Sequence, residues 1–192
     1  MLEYEKGSVS GYVASDHICL SANTTSCAED QIWIAIEESR DLDAMKADGI
    51  LGLSPGKMEI NGDPLLRGER SKGFIDNLYD QGIIKERVFS FFLSDYNDYR
   101  QVPMFTVGGY DLDKFAPNQT ETWNYVTDTT YWTVKLSSVY LGDKAIPLTT
   151  SNAIIDTGTS YLAVPEQEFS NMLGYWQDQG MHCSYDRFVQ LY

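Results

Sequence analysis

Apolar residues in this chain come in short runs broken by Gly, Asn, Asp and Ser, and no helical period lasts for long. Such a pattern folds into many short strands joined by tight turns. The clearest run is "QIWIAIEES", where Ile32, Ile34 and Ile36 alternate onto one face at strand spacing. From Ser8 to Leu20, "SVSGYVASDHICL" reads as a strand, a turn and a strand. "VFSFFLS" and "MFTVGG" read as adjacent strands split by the polar loop "DYNDYRQVP". "YWTVKLSSVYL" alternates through Trp132, Val134 and Leu136, and "AII" reads as a short buried strand. Two segments read as helices. "FIDNLYDQGII" puts Phe74, Ile75, Leu78 and Tyr79 on one stripe, with Gly82 where a helix would stop. "PEQEFSNMLGYWQD" opens on Pro165, with Glu166 and Glu168 in its first turn. Phe169, Met172, Leu173 and Trp176 form its apolar face.

With 192 residues, 43% of them hydrophobic, the chain is long enough for a real core in one domain or two small lobes. The loop around "APNQTE" is the candidate boundary between lobes. A net charge of −14, with 14 basic residues spread thinly, argues against a nucleic-acid partner. The same acidity suits an acidic compartment and suits plain solubility equally well. No apolar run approaches the ~18 residues that would span a membrane. His17 and His182 are isolated, so neither a metal site nor a cofactor is expected.

Cys19 and Cys27 flank the polar turn "LSANTTS" between two apolar runs. Opposed strands would bring them within bridging distance; two unrelated buried thiols are the alternative. The sequons Asn23-Thr24-Thr25 and Asn118-Gln119-Thr120 suit a secreted or lysosomal/vacuolar protein. Met1 leads into "LEYEKGS", which has no apolar stretch of the signal-peptide kind, so the true start is expected upstream.

The chemistry-bearing stretch is "AIIDTGTSYLAVP", Ala153 to Pro165, where an apolar run delivers Asp156 into a turn of small residues. Gly158 lets backbone approach the acid closely, or supplies a conformation that a Cβ would forbid. Thr157 and Thr159 offer hydroxyls to the carboxylate or to facing backbone. One exposed Asp, with a pKa near 3.9, is a poor base at neutral pH. Two acids sharing a proton differ: one activates water while the other polarises a carbonyl. Asp-Thr-Gly is also a common turn. A phosphorylated-aspartate motif would need a Lys between the Asp and Thr-Gly-Thr, and none is there.

"IIDTGTSYLAVP" resembles the second active-site motif of the pepsin-like aspartic proteases, the cathepsin D and pepsin family. Other segments resemble the same family in the same order. "YEKGSVSGYVASD" resembles its flap hairpin, and "ADGILGLSP" a block of its N-terminal lobe. "FIDNLYDQGIIKERVFSFFLS" resembles its helix and following strand. "FTVGGYD" and "YWTVKLSSVYLGDKAI" resemble the strands before the second motif, and "MHCS" a late half-disulfide.

The resemblance implies a mainly β, partial bilobal pepsin-like fold with a few short helices. Residues 1–111 would be the C-terminal part of the N-terminal lobe with interlobe strands. Residues 112–192 would be the N-terminal part of the C-terminal lobe. It implies an aspartic endopeptidase that acts on peptide or protein substrates. Asp156 would be one catalytic aspartate, Thr157 and Thr159 braces and substrate contacts, and Gly158 the glycine beside the water. Tyr4 would close over substrate, Gly7 and Ser8 would bond it, and Ile50 would line an apolar subsite.

The family carries two Asp-Thr/Ser-Gly motifs, and this sequence holds one; "TDTTYW" has Asp128 and Thr129 without a following Gly. The chain is therefore expected to be the middle of a protease, inactive alone, whose partners include the missing lobe segments of its parent. A homodimer pooling two copies of Asp156, as in retroviral enzymes, and a non-catalytic peptide-binding relative are the alternatives. Glu5 and Lys6 stand where the family has small residues, and Ala47 where an aromatic often lines a pocket.

Overall fold

A computed structural model describes residues 7–22, 26–42, 47–55, 72–94, 100–159, 161–182 and 184, and the backbone of residues 2–4. Strands dominate and the helices are few and short, as expected of a partial pepsin-like fold. The chain forms two compact units, Met1–Glu121 and Thr122–Tyr192. Asn23–Thr25, Glu5, Lys6 and Cys183 lie outside the described residues.

The first unit is built on a three-stranded antiparallel sheet of β1 (Leu2–Tyr4), β2 (Gly7–Cys19) and β3 (Cys27–Arg40), in that order. The expected turn inside Ser8–Leu20 is absent: β2 is one continuous strand. Its pairing with β3 shifts register between Ser10 and Gly11 and again between Asp16 and Ile18. Irregular pairing absorbs what a turn would otherwise do. Gly11 is required there, because a Cβ would meet the Ala35 carbonyl oxygen at 1.9 Å.

The second shift is stitched by side chains. Ile18 pairs Ala28 and Asp16 pairs Gln31, so Glu29 and Asp30 bulge out, Asp30 at φ 50. The Glu29 backbone then turns to helix α1 (Phe74–Asp80). Its N–H donates to Gln81 Oε1 at 3.0 Å. Its carbonyl accepts from Asn77 Nδ2 at 2.9 Å and Gln81 Nε2 at 3.0 Å. Asn77 Nδ2 also reaches Gln31 Oε1 at 3.2 Å, while Gln31 Nε2 donates to the Lys72 carbonyl at 3.1 Å. Buried polar groups stay in a fold only when satisfied in this way. Beside this network Ala28, Phe74 and Leu78 form a small core, flanked by Ile18, Leu53, Ile75, Ile84 and Val107. The helix ends where Gly82 takes φ +71, the stop read from the sequence.

β4 (Phe89–Phe92) pairs antiparallel with β5 (Met104–Val107), with Phe91 stacked on its partner Phe105. Cys19 and Cys27 are opposite residues of β2 and β3 and form a disulfide. Closing so short a loop is worth about 2.5 kcal/mol on the chain-entropy account. Before the "APNQTE" loop lies a helix that periodicity did not show, α2 (Leu112–Phe115), started by Asp111 accepting from the Lys114 N–H at 2.9 Å.

In the second unit β6 (Thr133–Lys135) pairs β9 (Asn152–Ile154), and β7 (Val139–Leu141) pairs β8 (Lys144–Ile146). The run read as one alternating strand is thus two. Helix α3 (Glu166–Asp178) packs against β8, with Ile146 and Met172 buried. The "AII" strand exists but is not buried: Ile154 and Ile155 are 56% and 58% exposed. A strand paired on one edge to a three-residue neighbour has little to cover it.

Candidate active site

Asp156 leaves β9 at its C-terminal end. Pairing with β6 carries one residue beyond the strand, since the Ile155 N–H donates to the Trp132 carbonyl at 2.9 Å. The chain then folds back on the acid. Asp156 Oδ1 accepts from the Gly158 N–H at 2.8 Å, and Oδ2 accepts from Thr159 Oγ1 at 2.6 Å. Side chains of the Asx kind close turns in this manner. Gly158 is suited to the turn by proximity rather than by φ: it is not among the left-handed glycines, and a Cβ there would lie 3.1 Å from Asp156 Oδ1. Of the two reasons weighed for this glycine, close approach is the one that operates.

Both carboxylate oxygens thus accept a donor from their own turn. The Thr159 hydroxyl, and then the Gly158 N–H, hold the Asp156 carboxyl below the usual aspartate range. Folding therefore favours the ionised acid. That contribution is present above the unfolded value of about 3.9 and is lost as pH falls through the lower folded value. Thr159→Val is expected to move the Asp156 titration upward toward about 3.9, read by carboxyl NMR. An unmoved midpoint would show that the hydroxyl is not what holds it. Asp128 is a useful comparison. Its Oδ1 accepts from the Thr130 N–H at 2.6 Å and the Tyr131 N–H at 3.2 Å, and its pKa is lowered too. Capping a turn, and being exposed while doing so, is therefore not special to Asp156; what differs is the glycine two residues on, Gly158, which Asp128 lacks.

The remaining predicted residues fall as follows. Thr157 is exposed beside Asp156. Tyr4 and Gly7 face one another across a hairpin tip as register partners, with Ser8 opposite Glu3 on one side and Arg40 on the other. Gly7 sits at φ +140, and a Cβ there would meet the Arg40 carbonyl oxygen at 2.2 Å, so no other residue fits. Ile50 is 57% exposed in a segment without regular structure. These hairpin and loop residues belong to the first unit, and the Asp156 turn to the second. Among the described residues no group of His, Cys, Asp and Glu is arranged to hold a metal ion.

The family model for eukaryotic aspartyl proteases matches residues 1–186. The chain belongs to the eukaryotic aspartyl protease family. It is similar to a probable vacuolar protease A of Trichophyton verrucosum, 29% identical over 168 residues, 85% of this chain and 38% of that one. It is also similar to a pregnancy-associated glycoprotein of Equus caballus, 30% identical over 174 residues, 89% of this chain and 41% of that one. Pepsin A of Rhinolophus ferrumequinum is 32% identical over 129 residues, 67% of this chain and 30% of that one. The chain thus spans well under half the length of the curated relatives it matches.

One residue of this family member that the sequence assigns only to a helix dipole is buried. Glu168, 1% exposed, does not face solvent in the first turn of α3. Thr149 and Thr150 bond its Oε1 instead. A signal was available, since Glu168 lies one turn before buried Met172 on the same helix face.

Proposed function

We propose that this chain supplies one aspartate, Asp156, to the dyad of an aspartic endopeptidase, and that alone it hydrolyses no peptide. The observation that carries this is Asp-Thr-Gly-Thr at residues 156–159, once in the sequence, in a chain of the eukaryotic aspartyl protease family. Ionised and accessible, Asp156 is fit to hold water and take its proton. A second carboxyl close by would share one proton with it, so that the neutral partner polarises the scissile carbonyl. This pairing is a general property of aspartic proteases, not a result drawn from this chain. No covalent intermediate is needed.

The hairpin tip supports the substrate side of the reading. An extended peptide pairs with groups at such a tip, and Gly7 and Ser8 would offer it backbone or side-chain hydrogen bonds while Tyr4 closes over it. Ile50, exposed and apolar, would line a subsite, and Thr157 would brace the turn. Residues 1–111 would then be the later part of one lobe with interlobe strands, and 112–192 the earlier part of the other. The lone motif also fits a non-catalytic peptide-binding relative, or a homodimer that pools two copies of Asp156. The coding sequence upstream discriminates. An in-frame Asp-Thr/Ser-Gly supports the protease, whereas an aligned motif with its aspartate replaced supports the binding protein. A stable dimer in sedimentation would favour the homodimer.

The disulfide indicates an oxidising compartment, and a secreted or vacuolar site fits the relatives named above. Asn118 then becomes a candidate for N-glycosylation. It is exposed, at φ 64, in a loop closed by the Gln119 N–H on the Ala116 carbonyl at 3.0 Å. Chain secreted from a eukaryotic host is expected to lose mass on peptide N-glycosidase treatment, and Asn118→Gln to lose one glycan less. An identical mass loss in both would contradict this.

A further inference from the structure

The 149–168 segment contains β9, the Asp156 turn and the first turn of α3, and one side chain fastens its two ends together. Glu168 Oε1 accepts from Thr149 Oγ1 at 2.7 Å, from the Thr150 N–H at 3.1 Å, and from the Thr149 N–H. Thr150 passes the constraint on: its hydroxyl contacts Asn152, the first residue of β9, accepting from the N–H at 3.3 Å. β9 is fixed on its other side by β6, and Asp156 follows within two residues of its end. Glu168 is buried, and its Oε2 has no hydrogen-bond partner among the described residues. A carboxylate so placed is costly by itself. Charge-assisted bonds from three donors are what compensate it, and removing it would break all three.

We propose that Glu168 is a positioning residue for Asp156: by accepting from Thr149 and Thr150 it closes the segment that carries the acid and fixes where β9 delivers it. Relevance to catalysis rests on the reading of Asp156 as a dyad member, but the geometry does not. Glu168 acts through Thr149, Thr150 and β9 and touches no reacting atom. Its partners are two backbone N–H groups and one hydroxyl, so an amide oxygen at the same place can accept the same three bonds. An alanine cannot.

The test reads Asp156 itself, in the whole 192-residue chain. The Asp156 carboxyl is titrated by NMR and the Gly158 amide followed by hydrogen exchange, in parent, Glu168→Ala and Glu168→Gln. In the alanine variant the Asp156 midpoint is expected to rise toward about 3.9. The Gly158 amide is expected to exchange about tenfold faster or more. The glutamine variant is expected to restore both most of the way. Thr149→Val, which keeps the N–H and removes only the hydroxyl, is expected to move both readouts in the same direction by less, and serves if the alanine variant does not fold. An Asp156 midpoint and Gly158 exchange rate that stay at parent values while thermal stability falls would overturn the proposal and leave Glu168 a packing residue. Because no hydrolysis is measured, this outcome is separate from the fate of the protease reading.

Discussion

Asp156→Asn is expected, on the proposed reading of Asp156 as a dyad member, to lower kcat for peptide hydrolysis by the assembled enzyme by about 10²–10⁴-fold, with KM little changed. The substitution isolates chemistry from shape. Asparagine keeps a carbonyl oxygen to accept the Gly158 N–H, and its amide can donate to the Thr159 oxygen, so the turn retains its two closing contacts. What is lost is the ability to take a proton from water and to share one with a second acid. The loss should therefore fall on kcat, the signature of an interaction made in the transition state. A raised KM with unchanged kcat would assign Asp156 to binding instead. Unchanged kcat and KM would remove it from the site altogether.

Leu78→Ala is expected to lower the unfolding free energy of the first unit by about 2–5 kcal/mol. Leu78 is 1% exposed and lies between Ala28 of β3 and Phe74 of its own helix. This core is small, so nothing larger compensates a cavity within it. The same residue anchors the helix end, where the Ile83 N–H donates to its carbonyl at 2.9 Å. Leu93→Ala, at a position 67% exposed, is the control and should change stability by less than about 0.5 kcal/mol. Urea titrations of both variants check this. Equal costs at the two positions would mean that the helix does not rest on β3 as described.

The elements most legible in the sequence were those whose apolar spacing and punctuation agree. The Phe74 helix announced Phe74 and Leu78 of its buried face and its stop at Gly82, though Tyr79 of the same stripe is exposed and Asn77 is buried in its place; the phenylalanine strands announced their pairing. The cysteine pair was legible because a polar turn separates two strand-like runs. Where reading failed, a contact that apolar spacing does not encode decided the outcome, local in one case and tertiary in the others. Ser8–Leu20 reads as interrupted, whereas the structure runs it as a single strand that uses Gly11 for close approach to Ala35. α2 starts from a capping contact, Asp111 to Lys114, which leaves no apolar period in four residues. Glu168 was legible only as an acid in the first turn of a helix, because nothing in its local sequence names Thr149 as its partner. In the site, the residue types around Asp156 and a Thr159 hydroxyl offered to its carboxylate were legible, while the Gly158 N–H bond was not. Gly158 could have been needed for φ or for room, and only coordinates separate the two.

The most direct measurement is made on the 192 residues alone, purified and shown to be monomeric by sedimentation, with acid-denatured haemoglobin as substrate and pepstatin as inhibitor. No pepstatin-sensitive hydrolysis is expected, because a lone carboxylate has no partner with which to share a proton. Turnover that pepstatin blocks and Asp156→Asn abolishes, from a verified monomer, would contradict it.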